Sequence, residues 1–124
     1  MRAKDYKDFK VWQKAMDLTV EIYKLVDLLP KKETYALSDQ MRRSVVSIPS
    51  NIAEGQGRNS AREFVQFLSV ARGSQKELET QLYICTKIGY VTEEEVSTAL
   101  NLCEEIGKML NSLIMKIQSS FSKN

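Results

Sequence analysis

Apolar residues recur along this chain at helical spacing. Val11, Ala15, Leu18, Ile22, Leu25 and Leu29 form one clean stripe, the pattern of an amphipathic helix facing a core. Trp12, Met16, Tyr23 and Val26 run beside it as a second stripe. The pattern predicts a helix over about 8–29, ended by Pro30, which cannot continue the hydrogen-bond ladder. A second helix is predicted over about 38–54, with Leu37, Met41, Val45, Ile48 and Ile52 on its apolar side. Ser38 is its candidate cap, and Asp39 suits the positive first turn. Pro49 lies inside this segment and frees the carbonyl of Val45, which predicts a kink. Two short helices broken near Ile48 are the alternative. Gly55 and Gly57 are read as the stop.

Ser60-Ala61-Arg62-Glu63 is a capping box that opens a third helix over about 60–88, ending at Gly89. Phe64, Phe67, Leu68, Ala71, Leu78, Leu82 and Cys85 mark its apolar side, widened by Val70, Ile84 and Ile88. Thr92-Glu93-Glu94-Glu95 is a second capping box, with the acidic first turn that a helix dipole favours. It opens a fourth helix over about 92–119, whose stripe is Val96, Leu100, Cys103, Ile106, Leu110, Leu113 and Ile117. No segment alternates with period two. The links between helices are short, which favours antiparallel neighbours. The expectation is an all-α, up-down-up-down four-helix bundle, kinked at Pro49 and occupying 1–124 as one domain. Gly73 and Gly107 lie equally far from the turn at Tyr90, at the same height of an antiparallel pair. They mark either a close approach of the third and fourth helices or two tolerated glycines.

A monomeric bundle needs one core-facing side per helix. The surplus apolar residues, among them Trp12, Val70, Ile84 and Met109, point to a second buried surface, which self-association would supply. The length of 124 residues suits one core. There is no apolar run long enough to cross a bilayer and no apolar signal core at the start, so a cytoplasmic location is expected. Cys85 and Cys103 fall in apolar patterns and read as small buried hydrophobes, with a disulfide or reactive thiol as the alternative.

The chain contains no histidine. The commonest general base and metal ligand are therefore missing. Gly55-Gln56-Gly57 follows no strand and lacks a third glycine, so it is not a phosphate loop. No catalytic residue, cofactor or metal site is expected. The net charge is +2 but uneven. Residues 1–62 hold 12 basic and 8 acidic side chains (+4), and residues 63–124 hold 6 and 8 (−2). Arg42, Arg43, Arg58, Arg62, Arg72 and Lys76 are the candidate contacts for an anionic partner, because the arginine fork suits phosphate. The alternative is that they are solvated helix faces paired with Glu54, Glu63, Glu77 and Glu79. In the unusual block Ser47–Gly55, Asn51 and Glu54 form either a polar site or local support. In the second case Asn51 satisfies carbonyls freed by Pro49 and Glu54 pairs with Arg58.

Four blocks occur in order: Phe9-Lys10-Val11-Trp12-Gln13-Lys14-Ala15, Gln40-Met41-Arg42-Arg43-Ser44, Ser47-Ile48-Pro49-Ser50-Asn51-Ile52-Ala53-Glu54-Gly55 and Ala71-Arg72-Gly73-Ser74-Gln75-Lys76-Glu77-Leu78-Glu79. Over residues 9 to about 91 the chain closely resembles the four-helix bundle family named for proteins encoded in 23S rRNA intervening sequences. The resemblance implies an antiparallel four-helix bundle, assembly as a homopentamer and no catalytic residues. It also implies kinship with the accessory variability protein of diversity-generating retroelements, a pentameric barrel. That relative is strongly basic and binds a reverse transcriptase and nucleic acid through basic residues. The expected partners are therefore other copies of the chain and either RNA or a nucleic-acid-processing protein. A protein–protein scaffold with no nucleic-acid role is the alternative.

Overall fold

A computed structural model describes residues 5–121. Four helices span Lys10–Val26 (α1), Leu37–Gln56 (α2), Ala61–Ile88 (α3) and Glu93–Phe121 (α4). Single 3-10 turns at Tyr6–Asp8 and Lys31–Glu33 precede α1 and α2. Each helix packs on two others, and the diagonal pairs α1–α3 and α2–α4 stay apart. The arrangement is a square bundle with antiparallel neighbours, as the short links require.

The predicted stripes form the core. Leu18, Ile22, Met41, Ile48, Ile52, Leu68, Leu78, Leu82, Ile106 and Leu110 are fully enclosed. Burying each such side chain contributes roughly 1.5–3 kcal/mol. Helix α2 continues unbroken through Pro49, which is itself buried, so one helix rather than two short ones is formed.

Several boundaries differ from the sequence expectation. Helix α1 starts at Lys10 because Asp5–Asp8 is occupied by the 3-10 turn, with Asp5 accepting from Lys7 N at 2.9 Å. It ends at Val26, and residues 27–29 continue as turns bonded back to Lys24, Leu25 and Val26. Ser38 is not the cap of α2. It is buried one residue inside the helix, and Glu33 takes the capping role by accepting from Leu37 N at 3.2 Å. Gly55 does not stop α2 either. Helix α2 runs to Gln56, and Gly55 is a contact point. A Cβ there would lie 2.7 Å from Phe67 Cβ and 3.0 Å from Phe64 Cδ1.

The cap of α4 matches expectation, and that of α3 forms the Ser60 half of its box without the return bond from Glu63. Ser60 Oγ accepts from Glu63 N at 3.1 Å. Thr92 and Glu95 exchange both bonds of the capping box, at 2.9 and 3.0 Å. Gly89 ends α3 at φ 96°, a left-handed conformation that favours glycine. The amide of Tyr90 then reaches back to the Cys85 carbonyl at 2.9 Å, closing a Schellman turn.

The close approach of Gly73 and Gly107 is not formed. A Cβ on Gly73 would meet nothing within 4 Å, so Gly73 faces open space. Gly107 does face the α3–α4 seam, but it makes room for a side chain, with the Gln75 amide 2.9 Å from the position of a Cβ.

Two predictions follow from these glycines and one from the link between connections. Gly73→Ala is expected to raise stability by about 0.5–1 kcal/mol, since alanine is the better helix former and no contact opposes it. Gly55→Ala is expected to lower it by about 1–2 kcal/mol, because the clash with Phe67 and Phe64 outweighs the same propensity gain. Urea denaturation of both variants checks the opposite signs. Tyr90 donates its hydroxyl to Glu33 Oε2 at 2.7 Å, joining the α1–α2 connection to the α3–α4 connection. This bond holds the Glu33 carboxyl below its ordinary value of 4.5 and the Tyr90 phenol above its ordinary value of 10.0. A depressed acid stabilises the fold above its unfolded pKa, and a raised phenol stabilises it below its own. The bond is thus fully effective between pH 4.5 and 10. Its contribution fades below and above that window, and Tyr90→Phe is expected to flatten both limbs in a pH series of thermal melts.

Candidate interaction surfaces

The six candidate cations occupy places set by their helices, and each has a partner within the chain. Arg43 Nε pairs with Asp39 Oδ2 at 3.0 Å, one turn earlier on α2. Arg42 folds the other way and donates to the Thr34 carbonyl at 3.0 Å. Arg58 pairs with Glu54 at 2.8 Å and lies over the Phe67 ring, 4.8 Å from its centre. Arg62 does not pair with Glu63; it covers the Phe121 ring of α4 at 4.5 Å, a cation–π contact that shields apolar surface. Arg72 turns from the nearby glutamates to α4 and donates to Asn111 Oδ1 at 3.0 Å. Lys76 pairs loosely with Glu79 at 3.5 Å. Arg42 and Arg43 lie on α2, far in sequence and height from Arg58 and Arg62 at the α2–α3 turn. The antiparallel register therefore makes no single cluster of the six.

The Ser47–Gly55 block is support for α2 and α3. Asn51 donates to the Ser47 carbonyl at 2.8 Å and to Ser47 Oγ at 2.9 Å. The carbonyl it reaches is that of Ser47, not the Val45 carbonyl freed by Pro49, because an i−4 reach from position 51 ends at 47. Ser74 of α3 donates to the same Ser47 hydroxyl at 2.8 Å, so a short polar chain crosses the α2–α3 seam. Glu54 holds Arg58, as the spacing suggested.

Both cysteines are buried and free. Burial pushes the Cys85 thiol up to about 11 and the Cys103 thiol up to about 12. Cys85 Sγ lies 3.6 Å from Met41 Sδ, and Cys103 Sγ donates to the Gln75 carbonyl at 3.4 Å. Gln75, a residue that only the family block drew attention to, is 1% exposed. Its Nε2 donates to the Cys103 carbonyl at 2.9 Å.

The surplus apolar residues Trp12, Val70, Ile84 and Met109 fall on three separate surfaces. A furrow between α1 and α2 is lined by Trp12, Met16, Thr19, Val46, Pro49 and Ala53. Tyr6 also lines it, edge-on to Trp12 with ring centres 5.3 Å apart, and the furrow continues past Val20 and Tyr23. On α3, Val70, Ile84 and Ile88 stand exposed along one face, since intervals of 14 and 4 residues return to the same side of a helix. Between α1 and α4, an open groove of about 430 Å³ has a floor of Phe9, Val11, Met109 and Leu113 and carries Lys10, Lys108 and Lys116 at its rim. Among the described residues no group of acids and thiols is arranged to hold a metal ion, and no helix is long and apolar enough to cross a membrane.

A square antiparallel bundle of four helices places the chain in the class of helical-bundle proteins. Residues 7–112 match the model of the 23S rRNA-intervening sequence protein family, and the chain belongs to that family. A solved structure from Bacteroides thetaiotaomicron, a protein of unknown function from the S23 ribosomal protein family, is similar at 30% identity and a TM-score of 0.78. The likeness covers 84% of this chain and 97% of that one. No functionally curated protein matches.

The raised thiols carry a direct prediction. At pH 8 a disulfide-exchange reagent is expected to leave both cysteines unmodified in the folded protein, since neither forms appreciable thiolate. Both should react within the dead time once denaturant is added. Fast labelling of native protein would contradict the burial described.

Proposed function

We propose that this protein is a non-enzymatic assembly module whose bundles associate side by side, the α1–α2 furrow of one copy receiving the α3 ridge of the next. The observation that carries this reading is apolar surface left over after the core is complete. Met16, Val20, Tyr23 and Val46 along the furrow are 42%, 55%, 45% and 40% exposed, and Val70, Ile84 and Ile88 are 53%, 38% and 56% exposed. The furrow lies between α1 and α2 and the ridge on α3, so the two patches are distinct. Distinct patches suit head-to-tail contacts, which close into a ring when the rotation per subunit divides a full turn. A five-membered ring is the closure that the family resemblance implies. Open Gly73, one turn from Val70, lets a neighbouring helix come close.

Catalysis has little support. Histidine is absent, and both thiols are held in their unreactive form. A role in RNA binding is the second reading, supported by the resemblance and by five copies of any local cation cluster acting together. The local partners of Arg42, Arg43, Arg58, Arg62, Arg72 and Lys76 are the reason assembly comes first.

Light scattering coupled to size exclusion is expected to give a multiple of the monomer mass. Val70→Glu combined with Ile84→Glu should reduce it to the monomer while circular dichroism stays unchanged, because both side chains lie outside the core. A monomeric wild type at micromolar concentration would refute the proposal. For the second reading, Arg58→Ser with Arg62→Ser should weaken binding of a structured RNA and flatten its salt dependence. A wild type with no salt-sensitive RNA binding removes that reading.

A further inference from the structure

The groove between α1 and α4 lies on the other side of α1 from the proposed assembly furrow, so what fills it is a separate question. Its floor is made by Phe9, Val11, Met109 and Leu113, and its rim by Lys10, Lys108 and Lys116. None of these lysines has an acidic partner among the described residues. Glu105, on the same helix pair, is already taken by Lys14 at 3.3 Å. Glu104 lies one turn before Lys108 and makes no ion pair with it. The first turn of α1, which also borders the groove, has no side-chain cap, so its amides add to the positive field.

We propose that this groove docks an acidic amphipathic helix of a partner protein. Three features select that occupant. The apolar floor asks for apolar side chains, and three unpaired cations around it ask for carboxylates flanking them. The groove is open along its length and follows α4 from Lys108 to Lys116, about 12 Å at the rise of an α-helix. That length fits two turns of a third helix laid against the pair. A bare acyl chain would remain half in water there. Single-stranded RNA needs successive aromatic platforms. The floor offers one ring, Phe9, which is already stacked on Phe64 at 6.2 Å and 17°. Met109 supplies the adaptable contact common on such surfaces.

The test uses the full chain and a fluorescein-labelled synthetic amphipathic helix with leucines at i, i+3, i+4 and i+7 flanked by glutamates. A second peptide carries lysines in place of the glutamates. The acidic peptide is expected to bind at least about tenfold more tightly than the basic one at low salt, with the difference shrinking as salt rises. Lys10→Glu with Lys116→Glu should reverse the preference, and Leu113→Ser should weaken both peptides. Methyl NMR of the wild type should show the Met109 signal moving on addition of the acidic peptide, a readout that needs no variant. Equal binding of the two peptides, or an unmoved Met109 methyl, would overturn the proposal. So would tighter occupancy of the groove by oleate or by oligouridine. A change of oligomer mass in the lysine variant would mean that the groove joins copies of this chain, which also overturns it and leaves the furrow-and-ridge assembly to its own test.

Discussion

The register of α2 against α3 is fixed at three heights, and the rest of the bundle is arranged around it. Near the turn, Gly55 lets the backbone of α2 come against Phe64 and Phe67. In the middle, Ser74 donates to Ser47 at 2.8 Å, while Asn51 holds the same hydroxyl. At the far end, the Cys85 and Met41 sulfurs meet at 3.6 Å. A shift of α3 by one turn would put a side chain on a space that only glycine leaves and break the part-buried Ser74–Ser47 bond, two penalties that both act against slippage. With α3 so placed, Gln75 falls on the α4 seam and meets the gap at Gly107. The same placement turns Val70, Ile84 and Ile88 outward.

The parts of this arrangement that were legible in the sequence are those set by helical periodicity or by contacts within one turn. The stripes, the capping boxes at Ser60 and Thr92 and the left-handed stop at Gly89 depend on neighbours three or four residues away. So do the Arg43–Asp39 and Arg58–Glu54 pairs. What the sequence did not reveal depends on tertiary neighbours. Ser38 is the exception, a local one: Glu33, four residues before Leu37, folds back over the end of α2 and takes the cap. Gly55 looked like a stop because the ring edges that need its missing side chain come from another helix. Arg62 and Arg72 sit beside glutamates in sequence but reach Phe121 and Asn111 across the bundle. The lysine-rimmed groove joins position 10 to positions 108–116, a pairing that appears only when the first and last helices lie side by side.

The interior of the bundle is apolar with few polar groups. Its buried polar groups are amides and hydroxyls; Gln75 bonds across the α3–α4 seam, whereas Ser44 and Gln81 bond one turn back in their own helices. Its thiols are neutral at physiological pH. The charged groups stay on the surface, where ion pairs add little stability and are free to be re-partnered at low cost. The apolar groups left outside the core include those of the furrow, the α3 ridge and the groove, along with Leu28, Tyr35, Tyr83 and Met115.

The tight closure between α2 and α3 bears on the order of events as the chain folds. Only residues 57–60 separate these helices, so bringing them together costs little loop entropy. The pair is also the most extensively packed in the bundle. A hairpin that is both cheap to close and rich in contacts is the natural nucleus, with α1 and α4 condensing onto it afterwards. The amides of α2 and α3 should accordingly be the slowest to exchange with solvent. The lysine-rimmed groove lies between the two helices that join this hairpin last in that order.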